Sequence, residues 1–128
     1  MVHQQLETQY YNQCMNTPAP FSPSITKGNF VFTSGQIYLK DGKLLDGSVE
    51  DKTHQIMANL KNVLKKAGVS FKNVVKTTIY TTDMSLYTKI NEVYGSYFSE
   101  PFPARETVCV KELPLGVIVE MSMIAFKS

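Results

Sequence analysis

The stretch "PARETVCVKELPLGVIVEM", residues 103–121, decides how this chain folds. On either side of "LPLG" the residues alternate in character, and a period of two marks a strand with one side buried. Strands are expected over roughly 106–112 and 117–126, paired as a hairpin about the Leu113–Gly116 turn. In the second run Val117, Val119, Met121 and Met123 share one side while Ile118 and Ile124 take the other, so both faces are apolar. Two residues break this pattern. Arg105 stands at the mouth of the first strand, and Glu120 is the only acid within "VIVEMSMIA".

Working back toward the N-terminus, the period changes. Ser48 followed three residues later by Asp51 reads as a helix N-cap. Ile56, Leu60, Val63, Leu64 and Ala67 recur at helical spacing, Lys61, Lys65 and Lys66 occupy the rest of the surface, and Gly68 ends the helix. "NVVKTTIYTT" is then a strand with Val75, Thr77 and Ile79 on one side and Val74, Lys76, Thr78 and Tyr80 on the other. A second helix fits "SLYTKINEVYGSYF", with Ser85 as N-cap and Leu86, Ile90, Val93, Tyr94 and Tyr97 along one stripe. Pro101 and Pro103 end it. "NFVFTSGQIYL" is strand-like but interrupted by Gly35, and "KDGK" is a tight turn. The first 28 residues, with Pro18, Pro20 and Pro23, read as irregular. The order is β-β-α-β-α-β-β, an α+β domain with two helices against one sheet.

At 128 residues the chain is read as a single domain, 1–128, with residues 1–15 an irregular extension. Two helices cover one face of the sheet, and the other face is left apolar, which calls for a symmetric homo-oligomer or for cover by the N-terminal segment. A net charge of +2 is too small to imply a nucleic-acid partner. No run approaches the roughly 18 apolar residues of a membrane span, and no signal-type apolar region follows the start, so a cytoplasmic protein is expected.

The search for chemistry eliminates most classes. His3 and His54 have no partner at metal-ligand spacing, so no metal site is expected. Cys14 and Cys109 form no redox or metal pattern and read as reduced thiols. Nucleotide, dinucleotide and nucleophile-elbow fingerprints are missing. Arg105 and Glu120 remain. A guanidinium offers a planar fork of donors that suits a carboxylate. A structural pair with Glu120 is the plain alternative, but the hairpin would place Arg105 roughly 13–17 Å along from the residue opposite Glu120. The two approach more easily across a subunit interface.

"FPARETVCVKELPLGVIVEM" resembles the signature of the reactive-intermediate deaminase (Rid/YjgF) family. "FTSGQI", "THQIMANLKNVLKKAG", "VVKTTIYTTDM" and "INEVYGSYF" agree in order and spacing, so the resemblance runs from Asn16 onward. It implies a chorismate-mutase-like fold, a mixed sheet with two helices on one face, assembled as a homotrimer with three intersubunit clefts. It implies cofactor-free hydrolysis of 2-iminobutanoate and 2-iminopropanoate (tautomers of 2-aminoacrylate-type enamines) to 2-oxo acids and ammonia. By the same resemblance Arg105 grips the substrate carboxylate and Glu120 handles the attacking water. Ser34, Gly35, Asn91 and Thr107 fall at cleft-lining positions. An imine hydrolyses readily, so capture and water placement suffice without a triad or a metal; general-base help of ~10²–10⁴-fold is enough.

Two positions depart from the family pattern. Thr107 stands where a cysteine is usual, and Ser24 in "SPSI" stands where a cleft tyrosine is usual, with Phe21 a candidate to refill the space. Two other functions fit the same resemblance: a non-catalytic or regulatory trimer binding small 2-oxo acids, and an endoribonuclease.

Overall fold

The computed structural model describes residues 20–128. The extension assigned to residues 1–15, with His3 and Cys14, lies outside the described residues, as does Pro18. In chain order the elements are β1 (Ser24–Lys27), β2 (Phe30–Thr33), β3 (Leu39–Lys40), β4 (Lys43–Leu44), α1 (Val49–Lys66), β5 (Val74–Thr81), α2 (Tyr87–Gly95), β6 (Ala104–Cys109) and β7 (Val119–Phe126). Strands β3 and β4 pair with each other around the expected "KDGK" turn. The other five form one sheet in the order β1-β2-β7-β5-β6.

Helix α1 follows its spacing. Ser48 Oγ accepts from the Asp51 amide at 3.0 Å, satisfying an orphan donor of the first turn. Glu50 and Asp51 at the start and Lys65 and Lys66 at the end complement the helix dipole. Beyond the C-cap Ala67, Gly68 adopts φ 84°, the left-handed geometry that lets the chain turn away. Ile56, Met57, Leu60 and Leu64 are fully buried against the sheet's Val31, Ile79, Met121, Met123 and Ala125.

The sheet corrects four expectations. Ser24–Lys27 is a strand rather than irregular chain, because Pro23 only has to precede it, and β1 pairs antiparallel with β2. The strands on either side of "LPLG" do not form a hairpin. Strand β5 lies between them, antiparallel to β7 and parallel to β6, so β6 is an edge and the sheet is mixed. "LPLG" is instead a 3-10 turn in which Leu115 and Gly116 take positive φ, a connection long enough to step over the intervening strand. In β5 a bulge shifts the register between Val74 and Lys76, so Val74 joins Thr77 and Ile79 in the core and Val75 is exposed. A 3-10 turn (Met84–Leu86) leads into α2, and Asp83, not Ser85, caps it, its carboxylate accepting from the Ser85 amide at 2.9 Å.

The alternation in β7 holds: Val119, Met121, Met123 and Ala125 are buried beneath the helices. Strand pairing then fixes the opposite face, which carries Ile25, Phe30, Phe32, Ile124 and Phe126. Phe30 stacks edge-on to Phe126, centroids 5.1 Å apart, yet Phe30, Phe32, Phe126 and Ile25 are all at least 40% exposed. The face is contiguous, apolar and exposed among the described residues, as the alternation in the sequence implied.

Candidate functional site

Register places the two singled-out residues. Arg105 on β6 pairs with Thr77 on β5, which pairs with Met123 on β7, a row on the helix-covered face. Its side chain passes over the edge of the sheet onto α2. There Asn91 Oδ1 accepts from Nη1, and the Tyr87 hydroxyl accepts from Nη2 at 2.8 Å. The guanidinium carbon also lies 5.5 Å from the Tyr87 ring centre and 5.2 Å from that of Tyr94. Each such cation–ring contact contributes ~0.5–2 kcal/mol. Residues 87, 91 and 94 recur at helical spacing, so one stripe of α2 forms the whole cradle.

Tyr94 anchors that cradle. Its hydroxyl donates to the buried Thr77 Oγ1 at 3.0 Å. Burial pushes the phenol above its usual range, against the opposing effects of its hydrogen bond to Thr77 and the charge of Arg105. Among the described residues the only ion pair is Lys76 with Glu106, 3.0 Å apart on the other face. No carboxylate there neutralises Arg105. Its partners are all neutral groups.

Thr107 lies two residues along β6 on the same face as Arg105, paired with Ile79. Its Oγ1 is buried, and it is the one such side-chain polar atom without a hydrogen-bond partner among the described residues. An unpaired buried hydroxyl costs ~1–3 kcal/mol. Because β6 is an edge strand, part of its main chain is also left without a ladder partner.

Glu120 belongs elsewhere. It pairs with Tyr80, which pairs with Val108, a row on the face away from the helices. The segment after β2 runs beside it, tied by Gln36 N to Met121 O at 2.7 Å and Met121 N to Gln36 O at 3.1 Å. This brings Gly35 against the carboxylate so closely that a β-carbon there would lie 2.5 Å from Oε2. Burial raises the Glu120 carboxyl above the ordinary glutamate range, which suits a general base working nearer neutrality. Ser34 adjoins this group, and its hydroxyl donates to the Ser22 carbonyl. Ser24 sits on β1 opposite Thr33, one residue before Ser34, while Phe21 is 64% exposed.

The predicted residues therefore form two clusters: Arg105, Asn91 and Thr107 at the sheet edge by α2, and Ser34, Gly35 and Glu120 on the open face. Glu120 and Arg105 are offset by two strands and three residues, roughly 14 Å between backbones at ~4.8 Å per strand and ~3.3 Å per residue. They also leave opposite sides of the sheet. One chain does not bring them together at a small molecule. Sequence reasoning missed Tyr87, although its place four residues before Asn91 is the signal that would have found it, and read Tyr94 as core alone. Among the described residues no cluster of side chains could hold a metal ion. A separate groove of about 450 Å³, lined by Lys40, Asp46, Asp51, His54 and Tyr97 among others, includes none of these residues.

Comparison with known proteins gives a consistent result. The family model described as Endoribonuclease L-PSP matches residues 12–127. A RutC family protein of Pyrococcus horikoshii is 44% identical over 110 residues, 84% of this chain and 87% of that protein. The Reactive Intermediate Deaminase A, chloroplastic, of Arabidopsis thaliana is 42% identical over 83% of this chain and 58% of its own length. The crystal structure of E. coli TdcF with bound serine superposes with a TM-score of 0.80 at 34% identity, covering 85% of this chain and 89% of that one.

Proposed function

The chain belongs to the L-PSP/YjgF family of Rid proteins, and on that premise we propose that it hydrolyses small 2-imino acids to 2-oxo acids and ammonia. The observation that carries this reading is the state of Arg105. It is a cation held by a neutral amide, a phenol and two aromatic faces, with no carboxylate in ion-pair reach among the described residues. Such a group is an anion receptor awaiting an anion. A 2-imino acid supplies a carboxylate for it and an electrophilic C=N carbon beside it.

The second half of the chemistry comes from a neighbouring subunit. In a homotrimer the open, apolar faces cover one another, and each cleft combines the Arg105 edge of one subunit with the Ser34–Gly35–Glu120 group of the next. Glu120 takes a proton from water as the oxygen adds to the imine carbon. Glu120 returns that proton to nitrogen, giving a carbinolamine. It then takes the hydroxyl proton and delivers it to the amine, so that the C–N bond breaks and ammonia leaves as the carbonyl forms. Asn91, whose carbonyl already serves Arg105, keeps its NH₂ free to donate to the substrate, and Thr107 lends main-chain groups of the edge strand. No cofactor enters this scheme. The 2-iminobutanoate and 2-iminopropanoate pair is the expected substrate, within one cytoplasmic domain. Among the described residues no helix is long and apolar enough to cross a membrane. The endoribonuclease reading fits less well: His54, the one described histidine, is hydrogen-bonded to Tyr97 in the separate groove.

The test uses imine generated in situ from threonine or serine by a dehydratase and trapped with semicarbazide. The protein is expected to lower the trapped fraction, and Arg105→Ala to abolish that effect while sedimentation still finds the assembly. An Arg105→Ala protein as active as the wild type rejects the reading. Binding of 2-oxobutanoate without any turnover would leave the non-catalytic binder in its place.

A further inference from the structure

We propose that Tyr87 is part of the carboxylate receptor, its hydroxyl donating to the same anion that Arg105 holds. This deepens the proposed function and rests on it for the identity of the anion. The geometry supplies the argument. Tyr87 Oη accepts from Arg105 Nη2 at 2.8 Å, so an oxygen lone pair is already engaged and the phenolic proton is directed elsewhere. Among the described residues that proton meets no acceptor, unlike the hydroxyl of Tyr94, which is spent on Thr77. Tyr87 is 38% exposed, so it stands at the rim of the cradle rather than beneath it. An acceptor approaching the remaining N–H fork of Arg105 therefore arrives beside a free O–H. Polarisation by the guanidinium makes that O–H a better donor.

The arrangement has a consequence for selectivity. Asn91 and Tyr87, on successive turns of α2, hold the two terminal nitrogens and fix the plane of the fork. A ligand with a planar carboxylate meets three prearranged donor groups, whereas a neutral ester or amide meets donors it cannot fully satisfy. Tyr87 thus sets the preference for anionic substrates, and its effect falls on capture rather than on the C–N bond.

Tyr87→Phe keeps the ring against Arg105 and removes only the hydroxyl. KM for the in-situ imine is expected to rise about tenfold with kcat unchanged, the low end for a hydrogen bond to a charged group at a partly exposed site. The Kd of 2-oxobutanoate is expected to rise by the same factor, and that of its neutral amide to stay fixed. An unchanged Kd for 2-oxobutanoate overturns the inference, as does equal weakening of the acid and the amide, which would assign Tyr87 to packing. The binding arm needs no turnover. A wild type that binds 2-oxobutanoate without hydrolysing imine defeats the deaminase reading and leaves the role of Tyr87 decided by Kd alone. A wild type that binds neither ligand defeats both.

Discussion

Gly35→Ala probes the Glu120 half of the site with a single added carbon. Gly35 has an ordinary backbone conformation, so alanine introduces no dihedral strain; the conflict is entirely with Glu120. The new β-carbon would lie 2.5 Å from Oε2, 2.8 Å from Cδ and 3.2 Å from Cγ of that side chain. Non-bonded heavy atoms settle near 3.5 Å, so the carboxylate must retreat by roughly 1 Å. The retreat needs only side-chain torsions, at a cost of ~0.5–1.5 kcal/mol. A 1 Å misplacement of a catalytic group can cost ~10²-fold in rate. The expected outcome is therefore a small fall in Tm and a fall of about two orders of magnitude in kcat, read by semicarbazide competition. The stability loss should vanish when Gly35→Ala is made in a Glu120→Ala background, since the clash is then gone. A Gly35→Ala enzyme within about a factor of two of wild-type kcat, beside a crippled Glu120→Gln, would refute the claim that Glu120 must stand where it does.

The raised Glu120 carboxyl predicts two pH effects. Activity should fall on acidification through a limb lying above the ordinary glutamate value of about 4.3, and Glu120→Gln should lose that limb with the activity. The native state holds this proton more tightly than the unfolded chain, so its contribution makes stability fall as pH rises from the unfolded to the folded value. Denaturant midpoints should accordingly show Glu120→Gln more stable than wild type at neutral pH, with the difference closing in acid. Thr107→Val replaces a buried, unpartnered hydroxyl with a methyl group of the same shape. It is expected to raise stability by about 1 kcal/mol, measured by chemical denaturation, and a loss instead would show that the hydroxyl has a partner in the assembled protein.

Local features were legible in the sequence where one residue type meets one physical requirement. Ser48 and Gly68 bracket α1 because caps are local, and the alternation of Val119, Met121 and Met123 reports a buried face directly. Pairing is not local. The period-two pattern around "LPLG" identifies strands without saying what lies between them, and the hairpin reading failed because β5 takes that place. The separation of Arg105 from Glu120 within one chain has a different cause from the one the hairpin gave: three residues of register put them on opposite faces. The bulge at Val75 escaped because one extra residue inverts an alternation that looks regular. For the site, Arg105, Asn91, Glu120 and Gly35 could be singled out from their motifs, and the structure gives their positions. Tyr87 was legible only as the helical neighbour four residues before Asn91; its hold on Arg105 depends on where an arginine from a distant strand comes to rest.

That inversion of Arg105 and Glu120 across the sheet has a genetic corollary under the proposed trimer. Each polypeptide serves two different catalytic centres, lending a guanidinium to one and a carboxylate to the other. Two inactive alleles, one lacking Arg105 and one lacking Glu120, would then rescue each other when co-expressed, because mixed rings contain some centres whose two contributors are both intact.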